Sequence, residues 1–148
     1  MEITATGLSL THMYTGDDGE SHLETVTYEM KPAPHGWVSD PVPVTGVTLR
    51  LWNGPPATRD HNSSRKQLVI HLAGEVELET SDGAKGHLGV GDILVSENVA
   101  PGKGHLSREL VQPRLHLLVP FVDGFLEPVS VEPIPPSTAE PRDGFARR

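Results

Sequence analysis

Polar and apolar residues alternate in short runs along most of the chain. In HLETVTYEM (22–30) the alternation runs through Val26, Tyr28 and Met30. GVTLRLW (46–52) puts Val47, Leu49 and Leu51 on one face and Thr48, Arg50 and Trp52 on the other. QLVIHLA (67–73) sets Leu68, Ile70 and Leu72 opposite Gln67, Val69 and His71. EVELETS (75–81) turns Val76 and Leu78 in and Glu75, Glu77 and Glu79 out, and SDG (81–83) is a hairpin turn signal. GDILVSE (91–97), GHLSRELV (104–111) and RLHLLVPF (114–121) complete the set. A period of two places successive side chains on opposite faces of a sheet, the mark of a half-buried strand. No window carries an apolar stripe of period 3.6. The pattern predicts an all-β sandwich or barrel built from at least seven short strands.

Composition narrows this further. The 148 residues suit one domain, and 15 glycines with 14 prolines punctuate the chain too often for long helices. KPAPHGWVSDPVPV (31–44) holds four prolines and is expected to cross the surface as a loop. The domain is expected to span 1–126. The Pro-rich tail, 127–148, is expected to be disordered or to form a dimer arm. A formal net charge of −8 argues against nucleic acid and anionic membrane as partners. The absence of cysteine excludes disulfides and thiolate ligands. MEITATGLSL lacks the features of a signal peptide, and no run approaches the ~20 apolar residues of a membrane span, so the expected location is cytoplasmic. No P-loop, GxGxxG or GxSxG is present, so no nucleotide cofactor is expected.

Two stretches carry a resemblance. QLVIHLAGEVELE places Gln67 ahead of Gly74 at a turn, and GDILVSENVAPGKGHLSRE gives Gly91-Asp92, Gly102 and His105. Together they resemble the two motifs of the cupin superfamily, in particular its small stand-alone bacterial members, over about residues 46–121. The first motif in that family is a glycine, a His-x-His pair, a glutamate and a glycine opening a hairpin. The second is a GD dipeptide, a Gly-containing turn and a histidine. The resemblance implies an antiparallel jelly-roll β-barrel, a small-molecule site inside it and a homodimer.

This chain departs from the family pattern in its ligands. Gln67 stands in the glutamate position, and Glu109 replaces an asparagine four residues beyond His105. If Gly54 is the first-motif glycine, the His-x-His positions are Asp60 and Asn62; one residue of slip makes them His61 and Ser63. The implied metal ligands are His61, Gln67 and His105, a neutral set for a single divalent ion (Zn, Fe, Ni or Mn) that would hold it weakly. Asp60 would restore a negative charge if it turned inward.

His105 and His61 are the candidate catalytic residues, as ligands or proton carriers. Gln67, His71, Trp52, Lys103 and Glu97 are the candidate substrate-binding residues. Gln67 would orient substrate, Trp52 would be a stacking wall if its face is inward, and Glu97 would be an acid or base at the pocket mouth. His71 shares the face of Gln67 but lies ~13 Å along the strand, too far to share an ion. His116 is a further candidate to line the pocket, while Lys103, Arg108 and Arg65-Lys66 would steer an acidic substrate. The thin ligand set favours non-redox chemistry: isomerase, cyclase, dehydratase or lyase. The alternatives are a metal-dependent dioxygenase drawing a carboxylate from Asp60 or Glu97, and a non-catalytic module that binds or senses a small ligand.

Overall fold

The computed structural model describes residues 1–55 and 61–137. Asp60 and the tail beyond 137 therefore lie outside the described residues. The described chain is all β. In chain order the strands are β1 Glu2–Ile3, β2 Gly7–Thr15, β3 Ser21–Glu29, β4 Lys31–Ala33, β5 Gly36–Val38, β6 Thr48–Trp52, β7 Gln67–Thr80, β8 Lys85–Leu88, β9 Ile93–Glu97, β10 His105–Pro120 and β11 Ser130–Pro133. Among the described residues no helix is long and apolar enough to cross a membrane.

One sheet runs β11-β3-β2-β9-β7-β10-β6, with β1 added to β2 and β8 to β7, while β4 and β5 form a separate ribbon. Its two ends, β11 and β6, are not joined by pairing among the described residues, so the sheet is open where a closed antiparallel barrel was expected. It is also mixed: β2 and β9 run parallel, Thr11 facing Leu94 and Tyr14 facing Glu97.

Every alternating run read from the sequence lies in a strand, but four of them merge into two. Residues 67–73 and 75–81 belong to one long strand bent at Gly74, whose φ is +80°. The runs 104–111 and 114–121 likewise form β10, which follows β7 through the bend by breaking register between Glu109 and His116. A left-handed glycine in mid-strand shifts the side-chain phase. Gln67, Val69 and His71 face the same side as Val76 and Leu78 beyond it, odd positions giving way to even.

The bent sheet has a core on each face. On the concave side Met13, Leu23, Val69, Val76, Leu78, Leu88 and Leu94 cluster. On the other side Leu10, Val26, Tyr28, Val95 and Phe121 pack under Val42, Phe125 and Leu126. Phe125 meets Tyr28 edge to face, with ring centroids 5.2 Å apart. The described part of the tail, up to residue 137, continues this second layer: Ser130–Pro133 pairs with β3, and the Ile134 amide donates to the Leu23 carbonyl at 2.9 Å. Edge strand β6 turns Val47, Leu49 and Leu51 outward, Leu49 being 68% exposed, while Arg50 faces the concavity.

Candidate functional site

The concave face encloses a cavity of about 260 Å³. Its walls are the aliphatic residues of the inner core, and its two ends are polar in different ways.

The first end is built where β10 starts. Gly104, with φ +78°, precedes His105, and a Cβ at Gly104 would lie 2.7 Å from the His61 carbonyl. Glycine therefore lets the 61–63 segment lie against β10, where His61 and His105 exchange two backbone hydrogen bonds of 2.9 and 2.8 Å. Their rings stand side by side, 4.4 Å between centroids. Beside them the Ser63 and Ser96 hydroxyls are 2.6 Å apart. Gln67 faces Ser96 across the β7–β9 ladder, and its Oε1 is buried with no partner among the described residues, as is Asn62 Oδ1.

A chain of hydrogen bonds sets the tautomer of His105. The Thr15 hydroxyl donates to the Val99 carbonyl at 2.9 Å, so it accepts from Asn98 Nδ2 at 2.9 Å. That turns Asn98 Oδ1 toward His105 Nδ1, 2.7 Å away. An amide oxygen only accepts, so Nδ1 carries a proton and Nε2 is the nitrogen that gains and loses one. Asn98 is completely buried, which makes this arrangement hard to disturb.

The second end lies at the bend. His116 pairs with His71 across the ladder, and Arg50 of β6 pairs with His116 from the other side. The two imidazoles are 1–2% exposed, with centroids 5.8 Å apart. Arg114 is anchored by two bonds to Glu109, Nε at 2.9 Å and Nη2 at 2.8 Å, and its Nη1 makes a long 3.4 Å contact with His71 Nε2. Burial, reinforced by the Arg114 charge, pushes the pKa of both His71 and His116 down to about 4. Both rings are therefore neutral at pH 7.

These shifts have a consequence for stability. Below pH 6.5 the unfolded chain binds protons at these two positions that the folded chain refuses. Their contribution is complete above pH 6.5 and is lost as pH falls from 6.5 toward about 4. The urea midpoint is expected to drop through that window, and to drop less steeply in His71→Asn and His116→Gln. Unchanged slopes in both variants would sink the assignment.

The candidate residues divide between places. His61, Gln67, His71, His105 and His116 all line the cavity. Trp52, expected as a stacking wall, does not line it; its ring lies under the Arg50 guanidinium, 5.0 Å from the centroid. Lys103 is exposed and pairs with Glu20.

Glu97, expected at the pocket mouth, is on the opposite face of β9 from Ser96. It borders a second cavity of about 160 Å³ beneath Phe125 and Leu126. There His12 bridges Glu24 at 2.7 Å and Glu97 at 3.0 Å. Burial alone would lower the His12 pKa, but the hydrogen bonds from Glu97 and Glu24 outweigh it and raise it. The His12 bond in turn holds the Glu97 carboxyl below its ordinary range.

For a metal, the cavity offers two adjacent imidazoles and the neutral oxygen of Gln67. Among the described residues no three His, Cys, Asp or Glu side chains gather as a metal-holding group. Glu97 adds no carboxylate because its side chain is on the wrong face. The expected set of His61, Gln67 and His105 holds only two side chains of those kinds, and all three line the cavity. The sequence had offered Arg50 only as a neighbour of Trp52 on one strand face, and had given no sign of Asn98, Thr15 or Arg114 as parts of the site. Compared with protein-family models, with curated proteins and with solved structures, the chain matches none of them.

Proposed function

We propose that the chain is a small-molecule enzyme of cupin type, a jelly-roll relative whose cavity performs non-redox chemistry by proton transfer at His105. The observation that carries this is the Val99–Thr15–Asn98–His105 chain, which fixes Nδ1 of His105 as a donor and so assigns Nε2 as the basic nitrogen of a ring that lines the cavity. Such a nitrogen takes a proton from a carbon next to a carbonyl. The C–H electron pair moves onto the carbonyl oxygen as an enolate, and the imidazolium returns the proton to another atom. Isomerases, cyclases, dehydratases and lyases share that opening step. One hydroxyl of the Ser63–Ser96 pair donates to the other, which leaves the second O–H to meet the enolate oxygen. Gln67 and Asn62, with buried and unpartnered oxygens, orient the bound molecule.

The test is deuterium exchange. A panel of 2-oxo acids and 1,3-diketones is incubated with the protein in D₂O and followed by proton NMR. Exchange above buffer is expected for at least one compound, with a loss of ~100-fold or more in His105→Gln at unchanged melting temperature. No exchange above buffer would overturn the enzyme reading in favour of a module that only binds its ligand. Elemental analysis of both proteins runs alongside. Near-stoichiometric metal that vanishes in His105→Gln would replace the proton-transfer reading with metal-assisted chemistry, the dioxygenase included.

A further inference from the structure

The chain carries 20 Asp and Glu against 12 Lys and Arg, yet the cavity lining reverses that balance. Two arginines, Arg50 and Arg114, line it, and no described Asp or Glu does. A lining that followed the composition would hold more carboxylates than cations. We infer that the cavity takes a carboxylic acid with an apolar body, its carboxylate at the Arg50–Arg114 corner and its far end at His105. This rests on reading the cavity as a small-molecule site.

Arg50 supplies the uncompensated charge. It makes no ion pair among the described residues; its guanidinium lies over the Trp52 ring, which leaves its N–H edge available. Arg114 is a second donor rather than a second net charge. Glu109 neutralises it from outside the lining, through Nε and Nη2, while Nη1 stays on the side of His71. Two side chains deepen the corner, His71 and His116. Both are more than nine-tenths buried, both line the cavity, and each leaves Nδ1 without a partner among the described residues. Such groups are costly to enclose unless something meets the polar edge they form. A guanidinium fork matches a carboxylate in shape as well as charge.

The remaining wall sets the rest of the ligand. Between the two ends lie Met13, Val69, Leu78, Leu94 and Leu118, which suit an aliphatic or aromatic body. The far end offers imidazole and hydroxyl groups, suited to a carbonyl or hydroxyl. A volume of about 260 Å³ gives room for a small acid.

Calorimetry on the full chain tests this with benzoate, 4-phenylbutyrate and octanoate, each against its primary amide. At least one acid is expected to bind ~10-fold or more tightly than its amide, about 1.4 kcal/mol of discrimination. Arg50→Gln, at an exposed edge strand, is expected to cut that preference to ~3-fold or less while the melting temperature holds. Equal binding of acid and amide overturns the inference. So does a preference that survives Arg50→Gln, or the absence of any acid binding tighter than about 1 mM. Acid preference without deuterium exchange leaves the inference standing and removes the enzyme reading. Exchange on neutral diketones without acid preference does the reverse.

Discussion

Alanine at Gly74 is expected to lower the melting temperature by ~10 °C or more and to abolish acid binding in the cavity. Two costs combine. A φ of +80° charges a non-glycine residue ~1–2 kcal/mol. The new Cβ would also sit 2.7 Å from the Val111 oxygen and 2.8 Å from both the Arg114 Cα and the Pro113 oxygen. These are backbone atoms, which cannot rotate away, so β10 must move, at ~1–3 kcal/mol more. The segment that moves carries Arg114 and leads into His116, so the anion corner is lost with the stability. Gly91→Ala is the control: its φ is +89° but nothing lies within 4 Å of its Cβ, so strain acts alone there. Asn at 74 separates the two costs, because it tolerates the left-handed region but brings the same Cβ. If calorimetry shows Gly74→Ala no worse than Gly91→Ala, or Gly74→Asn near wild type, the close approach of the two strands is not what the glycine serves.

Removing the amide at Asn98 is the second large effect. Asn98→Ala leaves the buried His105 Nδ1–H without its acceptor and the Thr15 hydroxyl without its donor, at a cost of ~2–3 kcal/mol. The more telling result is in the ring itself. In the wild type, ¹⁵N NMR of His105 is expected to show a protonated Nδ1 and a pyridine-like Nε2. In Asn98→Ala the Nε2–H tautomer should appear, and any exchange activity should fall ~100-fold. Asn98→Asp keeps an acceptor facing Nδ1, and the Thr15 hydroxyl can turn to donate to it. The original tautomer is therefore expected to return. A purely structural role for Asn98 would lower stability in Asn98→Ala and leave the tautomer as it was.

Much of the strand content was legible because a period of two survives in any strand with one dry face. The runs around Val26, Leu49, Ile70, Leu78, Val95, Leu106 and Leu117 all show it. What the period does not carry is connection. A glycine between two alternating runs reads equally as a hairpin turn or as a bend within one strand. Only the neighbour decides, and β10 lies along both halves of β7. Strand β2 escaped notice because its second face carries His12, which meets Glu24 and Glu97 instead of water, and Tyr14, which stacks on His12 and His22. Its parallel pairing with β9 joins residues some eighty positions apart, beyond the reach of any local pattern. The tail looked disordered by its prolines, yet the Val129 amide bonds to the Thr27 carbonyl and the segment after it pairs with β3.

The site was legible where chemistry followed the motif and hidden where it followed parity. His105, His61 and Gln67 came from spacing. Glu97 was misplaced because one step along a strand reverses the face, and Ser96, not Glu97, has the inward phase. Alternation put Arg50 and Trp52 on one face of their strand and the leucines on the other, without deciding which face was inward. At this sheet edge the concavity is polar and the leucines are outside. Asn98 gave no signal, since an asparagine after a strand usually marks a turn.

The bend at Gly74 has one more consequence. Gln67 and His71 hang on β7, and His105, Arg114 and His116 hang on β10, so both ends of the cavity are fastened to one strand pair, on either side of its register break. The span between them is then counted out in residues, like marks on a rule, and not adjusted by the side chains that fill the middle. Exchanging Val69 or Leu118 for larger or smaller residues would alter the girth a ligand is allowed. Its permitted length would change only by adding or removing residues in pairs on both strands, because a single insertion would turn one end of the site out of the cavity.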